Sequence, residues 1–122
     1  MSWLGKLFGS RPEVTPTHLE TLADFEEHVR KSELPVIVDV WSPTCAPCRK
    51  LEPVLIQVAT KYEGKVRVAE LSTQAEPQLL AALDVRATPT ILVFDRGQEI
   101  GRMAGYRPLA WFDDMIAAEL AA

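Results

Sequence analysis

The sequence has 122 residues, a formal net charge of −4 and a hydrophobic fraction of 48%. This length and composition predict a single domain with a packed core of its own. The negative net charge argues against a basic surface of the kind that binds nucleic acid or an anionic membrane. Both cysteines of the chain fall in one short motif, so we expect no structural disulfide elsewhere.

Residues 1–16 are predicted to form an N-terminal extension, and residues 17–122 to form the domain. The extension carries a small apolar stripe at helical spacing, which indicates either a loosely packed tail or a docking segment: Trp3, Leu4, Leu7 and Phe8. No apolar stretch at the N-terminus is long enough for a signal peptide or a membrane span. We therefore expect a cytoplasmic protein, in a compartment where ordinary thiols are kept reduced.

Apolar periodicity predicts strands and helices in the order β-α-β-α-β-α-β-β-α. The expected strands lie within 15–20 and over 35–41, 65–71, 91–94 and 99–104. The expected helices begin after Thr21 and at the cysteine motif, where the helix runs to about Tyr62, and follow over 76–83 (a short helix or a turn) and 108–120. Gly64 is the expected stop of the second helix, and Gly97 is the expected positive-φ residue of the hairpin turn.

This order of elements predicts the α/β class, with a central sheet covered on both faces. Right-handed crossovers make the first three strands parallel wherever they are neighbours. The last two strands form a hairpin and must be antiparallel.

The two cysteines form a C-x-x-C motif, Cys45-Ala46-Pro47-Cys48, between a buried strand and a helix. In that position the motif predicts a dithiol–disulfide redox pair. Cys45 falls at the helix N-terminus, where unpaired N–H groups and the helix dipole favour a thiolate, so we expect it to be the nucleophile. Cys48 lies one turn further in and is the expected resolving thiol. Pro47 restricts φ at the helix start and so helps to set the geometry of the pair.

The cysteine pair has two alternatives to a redox function. An inert buried pair is the simplest alternative. A zinc site would need two further ligands besides the thiolates, and the histidines, His18 and His28, lie in the N-terminal part of the chain. We therefore expect neither a metal nor any cofactor beyond the Cys45–Cys48 disulfide itself.

Asp39 is a single acid within the apolar strand that precedes the motif. An unpaired carboxylate buried there costs several kcal/mol, so its pKa should be raised. Such a carboxyl beneath Cys48 can take the proton of that thiol through a water when the mixed disulfide is resolved. The alternative is an ordinary acid at a solvated strand end.

The chain resembles the thioredoxin family from about His18 to Leu120. The resemblance rests on several separated features in the family's order: the acid and tryptophan of Val38-Asp39-Val40-Trp41, the active-site-like Cys45-Ala46-Pro47-Cys48-Arg49, the helix proline Pro53, the loop Ala87-Thr88-Pro89-Thr90, the hairpin Phe94-Asp95-Arg96-Gly97, and Gly105. The resemblance implies a thioredoxin fold, with a central five-stranded mixed sheet flanked by about four helices.

The resemblance also implies the residues that contact a substrate. It implies a cis peptide bond before Pro89, with the backbone of Thr88 beside Cys45 and open to an extended peptide. The expected substrate-binding residues are Trp41, Thr44, Ala46, Pro47, Thr88, Pro89 and Gly105. The implied partners are proteins with disulfides and a recycling enzyme similar to the flavin-dependent, NADPH-using reductases. A monomer is expected.

Four departures from the family pattern indicate a specialised member. Thr44 stands where the family usually has a second tryptophan, and Ala46 replaces the glycine between the cysteines. Glu70 stands where many members have a lysine near the buried acid, and residues 71–73 replace the usual polar and acidic segment.

The leading functional hypothesis is a cytoplasmic thiol–disulfide oxidoreductase that reduces disulfides in protein substrates. A second hypothesis is a thioredoxin-like binding module that uses its redox state only as a switch. A third, an oxidase or isomerase of an oxidising compartment, is disfavoured because no signal peptide is recognised.

Overall fold

The structure is a computed structural model that describes residues 12–120. Its strands are β1 (Thr17–His18), β2 (Val36–Trp41), β3 (Arg67–Ser72), β4 (Thr90–Asp95) and β5 (Gln98–Ala104). Its helices are α1 (Leu22–Phe25), α2 (Ala46–Lys61), α3 (Pro77–Leu83) and α4 (Leu109–Met115). α1 and α4 each continue into a π-helical turn, over Glu26–Arg30 and Ile116–Leu120.

The strands form one five-stranded mixed sheet in the order β1-β3-β2-β4-β5. β3 is parallel to both β1 and β2, as the sequence predicts for the first three strands. β4 runs antiparallel to β2, and β5 is antiparallel to β4 in the expected hairpin. β2 therefore lies at the centre of the sheet, and its first five residues are buried.

Each face of the sheet carries its own apolar cluster, because alternate residues of a strand point to opposite faces. Val36, Val38 and Val40 of β2 belong to one cluster, and Ile37 belongs to the other. The first cluster includes residues of α1 and α3, and the second includes residues of α2 and α4. Alternation places Asp39 on the same face as Ile37, which is the face that α2 covers. The buried acid is thus placed under the helix that begins at the cysteines.

The chain turns where the sequence predicts, with one addition. Gly64, Gly97 and Gly105 all have positive φ, and Gly64 follows the end of α2 as expected. At Gly97 a Cβ would lie 2.5 Å from the carbonyl oxygen of Arg30, so the hairpin also needs glycine for space. Arg96 also has a positive φ of 53°, which the sequence did not indicate. A two-residue turn with positive φ at both positions matches the twist of the hairpin strands.

Most boundaries lie within one residue of the predicted ones, and two of the differences have a local cause. β3 begins at Arg67 rather than Lys65, because the amides of Lys65 and Val66 donate to the carbonyl of Tyr62 and close the end of α2. Pro108 precedes α4 as its N-cap instead of lying in its first turn. The predicted helix start after Thr21 is closed by a capping box: Thr21 Oγ1 accepts from the Asp24 amide, and the Asp24 carboxylate accepts from the Thr21 amide.

The predicted extension 1–16 lies mostly outside the described residues, as do Trp3, Leu4, Leu7 and Phe8. Within its described part, Val14 packs against the apolar cluster under α2, and its amide donates to Thr60 Oγ1 over 2.9 Å. The boundary at residue 17 stays a prediction. None of the helices in the range 12–120 is long and apolar enough to cross a membrane.

Candidate active site

Cys45 and Cys48 lie at the start of α2 and form a disulfide, with their Cα atoms 5.2 Å apart. Cys45 is the N-cap of the helix, and its Sγ accepts a hydrogen bond from the Cys48 amide over 3.2 Å. Cys45 is half-buried, whereas Cys48 is only 4% exposed. In the reduced state, a thiolate on Cys45 would face the unpaired N–H groups of the first helical turn, which stabilise negative charge. The geometry therefore separates an accessible thiol from a shielded one.

Asp39 lies in the sheet beneath this helix start and is 4% exposed. Within the described residues its Oδ1 atom has no hydrogen-bond partner. Burial raises the pKa of Asp39 to about 7, and the negative charges of Glu70 and then Glu52 contribute further to the increase. A carboxyl with a pKa near neutrality can both accept and release a proton at working pH.

A cavity of about 470 Å³ connects Asp39 with Cys48. Trp41, Glu70 and Glu52 line the same cavity, and apolar side chains of α2 form part of its wall. The predicted acid, Asp39, and the predicted resolving cysteine, Cys48, therefore line the same cavity. The sequence anticipated this pairing from the position of Asp39 in the strand before the motif.

Glu70 points into this cavity. It is the register partner of Asp39 across the parallel β2–β3 pair, so the two side chains lie on the same face of the sheet. Glu70 Oε1 accepts a hydrogen bond from the indole Nε1–H of Trp41 over 2.6 Å. Trp41 therefore lines the cavity with Asp39 and is held there by a hydrogen bond to Glu70.

Sequence reasoning missed one residue of this site, His18. Its Nδ1 lies 2.8 Å from Glu70 Oε2, and its Nε2 lies 3.0 Å from Glu20 Oε1. The sequence by itself offers His18 only as a possible zinc ligand. The signal that could have found it is the pairing of β1 with β3, which makes His18 the register partner of Glu70.

The loop before β4 contains the predicted cis peptide bond, between Thr88 and Pro89. Pro89 is buried, and its carbonyl accepts a hydrogen bond from the Gly105 amide over 2.8 Å. This bond joins two of the expected substrate-binding residues across the β4–β5 hairpin. Thr88 is half-buried, so part of it faces solvent.

The other expected substrate-binding residues flank the cysteines. Thr44, Ala46 and Pro47 are all exposed. The Oγ1 atom of Thr44 lies 3.5 Å from Ser42 Oγ, in the turn that leads to Cys45. A hydroxyl at this position makes the rim more polar than a tryptophan would. Their contacts with substrate stay predictions.

The described residues contain no group of three or more histidine, cysteine, aspartate or glutamate side chains arranged to hold a metal ion.

Comparison with known proteins agrees with this geometry. Residues 16–118 match the family model described as Thioredoxin. The chain is 42% identical to the thioredoxin of Synechocystis sp. over 86 residues, covering 70% of this chain and 80% of the relative. It is 38% identical to thioredoxin 1 of Nostoc sp. over 88 residues, covering 72% and 82%.

A solved structure has the same fold. The thioredoxin of Malassezia sympodialis superposes with a TM-score of 0.79 at 22% identity, covering 92% of this chain and 96% of that one. The predicted five-stranded mixed sheet with four helices is thereby confirmed. The chain therefore belongs to the thioredoxin family, and with its Cys45–Cys48 pair it is a thiol–disulfide oxidoreductase.

Proposed function

We propose that Cys45 is the attacking thiolate in the reduction of protein disulfides, that Cys48 resolves the mixed disulfide and that Asp39 takes the proton of Cys48. The observation that carries this assignment is the difference in environment between the two cysteines. Cys45 is accessible at the helix N-cap, whereas Cys48 is 4% exposed and lines the cavity that contains Asp39.

The reaction then has two exchange steps. The Cys45 thiolate attacks one sulfur of the substrate disulfide, forms a bond to it, and releases the other sulfur as a thiolate. Cys48 then gives its proton to the Asp39 carboxylate and attacks Cys45 Sγ. The bond between Cys45 and the substrate breaks, and the second substrate sulfur leaves as a thiolate. The dithiol loses two electrons, the substrate gains them, and the Asp39 proton returns to solvent.

Paired serine variants test the assignment. Cys45→Ser should abolish exchange, because no accessible thiolate remains. Cys48→Ser should accumulate a mixed disulfide through Cys45, because the resolving thiol is missing. Mass spectrometry of each variant after incubation with a protein disulfide measures the adduct. An adduct that forms through Cys48 in Cys45→Ser, and none in Cys48→Ser, would reverse the two roles.

The proton role of Asp39 has its own test. Asp39→Asn should slow the resolution step and leave the first attack by Cys45 nearly unchanged, because only the second step needs a proton acceptor beside Cys48. Stopped-flow mixing of the reduced protein with a chromogenic disulfide separates the two steps. Equal slowing of both steps would contradict the assignment.

The exposed rim and the cis-proline loop support a proposed substrate groove. An extended peptide would lie along Thr88 and Pro89 beside Gly105, and its disulfide would meet Cys45. Trp41, Thr44, Ala46 and Pro47 would bound the groove on the side of the cysteines. Backbone pairing with Thr88 would accept many sequences, because it does not depend on substrate side chains.

The remaining parts of the proposal concern the setting of the reaction. The protein would work as a cytoplasmic monomer, without a cofactor beyond the Cys45–Cys48 disulfide. A flavin-dependent, NADPH-using reductase of the kind that recycles thioredoxins would restore the dithiol. Continuous reduction of a protein disulfide in the presence of such a recycling system tests this choice of partner, and a single turnover without recycling would contradict it.

A further inference from the structure

His18, Glu70 and Asp39 form a row across the sheet. His18 of β1 is the register partner of Glu70 of β3, and Glu70 is the register partner of Asp39 of β2. Register partners in neighbouring parallel strands present their side chains on the same face. The row therefore leads from a solvent-exposed histidine, 53% exposed at its side chain, to the buried acid of the active site.

The hydrogen bonds of His18 favour its charged form. Both ring nitrogens lie within 3.0 Å of a carboxylate oxygen, one from Glu20 and one from Glu70. An ionised carboxylate only accepts hydrogen bonds, and neutral imidazole has a single N–H, so both contacts are satisfied together only in the imidazolium. Consistent with this, the hydrogen bonds to Glu20 and Glu70 raise the pKa of His18.

Glu70 is held in place from two sides. One carboxylate oxygen accepts from the Trp41 indole, and the other contacts His18. Its side chain is 21% exposed and lines the cavity that contains Asp39. Its charge therefore acts on Asp39 from a fixed position, and the charge of His18 partly compensates it when the ring is protonated.

We propose that His18 is a positioning residue that, through Glu70, sets the pH range in which the active-site acid Asp39 takes up and releases its proton. At lower pH the imidazolium compensates the charge of Glu70, and ionised Asp39 is tolerated more easily. At higher pH the neutral ring leaves that charge uncompensated, and Asp39 holds its proton more firmly. This inference rests on the proposed proton role of Asp39.

Other charged groups near Asp39 stay constant in the test. Glu52 and Arg49 of α2 line the same cavity together with Cys48, and Ile91, the register partner of Asp39 on β4, has no titratable group. Glu20 faces His18 from the far side of the row. None of these residues is changed in the variants below, so their contributions cancel in the comparison.

The experiment is a carboxyl NMR titration of Asp39 in the full-length oxidised protein. His18→Gln removes the positive charge at every pH, and His18→Lys keeps it at every pH below about 10. The titration midpoint of Asp39 should lie at the lowest pH in His18→Lys, at an intermediate pH in the wild type and at the highest pH in His18→Gln. Two strand spacings separate His18 from Asp39 by about 10 Å, so we expect steps of about half a pH unit at low ionic strength.

Two controls show whether the effect passes through the proposed row. His28→Gln changes the other histidine, whose Nε2 lies 3.8 Å from Glu27 Oε2 and which is not part of the row, so it should leave the Asp39 midpoint unmoved. A Glu70→Gln background keeps an acceptor for Trp41 but removes the charge, and the ring of His18 then loses one of the hydrogen bonds that raise its pKa. His18 carries its charge over less of the Asp39 titration there, so the further effect of His18→Gln should be smaller than in the wild type. Added salt at 1 M should reduce the differences between the Asp39 midpoints, because at that ionic strength exposed charges more than about 3 Å apart are largely screened from each other.

Three results would overturn the inference. The first is an Asp39 midpoint that does not move in His18→Gln at low salt. The second is a shift of the Asp39 midpoint in the same direction in both His18→Gln and His18→Lys. The third is a His18→Gln shift that is as large in the Glu70→Gln background as in the wild type. Failure of the proposed function would look different. The Asp39 midpoint could shift in the expected order while Asp39→Asn resolves mixed disulfides at the wild-type rate. That result would support the effect of His18 on Asp39 and contradict the proton role of Asp39.

Discussion

Replacing Asp39 by asparagine should stabilise the protein by an amount that grows with pH. The side chain is almost fully buried, its Oδ1 atom has no partner among the described residues, and its pKa is raised to about 7 from an ordinary value of 3.8. Between these two values the folded protein holds a proton on Asp39 and the unfolded chain does not. The free energy of unfolding must therefore fall as pH rises through this range.

The magnitude follows from the difference between the two pKa values. One pH unit corresponds to about 1.4 kcal/mol, so a difference of about three units amounts to roughly 4 kcal/mol. The stabilising contribution is fully present below pH 3.8 and is lost by the time the pH has passed through about 7. Asparagine has a similar shape and does not ionise. The variant should match the wild type near pH 4 and exceed its stability by up to about 4 kcal/mol near pH 8.

Urea unfolding of the oxidised wild-type and Asp39→Asn proteins at pH 4.5, 6, 7 and 8 measures this difference. Asp113→Asn is the matched control. Hydrogen bonds from Tyr62 and then Lys61 lower the pKa of Asp113, so its contribution is present above the unfolded pKa and is lost as pH falls through the lower, folded value. Between pH 5 and 8 the Asp113→Asn difference should be constant. A constant difference for Asp39→Asn as well would refute the linkage argument.

Three further changes have expected outcomes. Glu70→Lys should lower the Asp39 midpoint by about 1–2 pH units, because it reverses the charge beside the acid, and an unmoved carboxyl NMR titration would contradict this. Gly97→Ala should cost about 1–3 kcal/mol in urea unfolding, because φ is +80° and the Cβ would meet the Arg30 carbonyl, whereas Gly101→Ala, with open space around it, should change stability by less than about 0.5 kcal/mol. Deleting residues 1–16 should cost about 1–2 kcal/mol more than deleting residues 1–11, through the lost burial and hydrogen bond of Val14, and equal thermal stabilities would show that these contacts contribute nothing.

Much of the site follows from local sequence pattern. The apolar run around Asp39 predicts a buried strand, and a lone acid within such a run is expected to be buried with it. The C-x-x-C motif at a strand-to-helix junction places Cys45 at a helix N-terminus, where it is indeed the N-cap. These features depend on residues a few positions apart, and short-range periodicity encodes them directly.

The cis form of the Thr88–Pro89 bond was expected only from resemblance, since proline by itself favours the trans form. Nothing in the short-range pattern around the loop distinguishes the two forms. The boundary of β3 likewise depended on a competing contact, because the carbonyl of Tyr62 takes the amides of Lys65 and Val66. A strand pattern in the sequence does not show which amides are already occupied.

The surroundings of Asp39 were decided by the tertiary structure alone. Resemblance to the family marks Glu70 as an unusual residue, but a strand pattern by itself does not say whether its side chain faces the acid or the solvent. That question was settled by the position of β3 between β1 and β2, which puts Glu70 on the cavity face beside Asp39 and Trp41. The same strand order brings His18 to Glu70 across 52 positions of the chain. Pairing between strands far apart in sequence depends on the global packing of the sheet, so no local pattern around His18 could have indicated its place beside the active site.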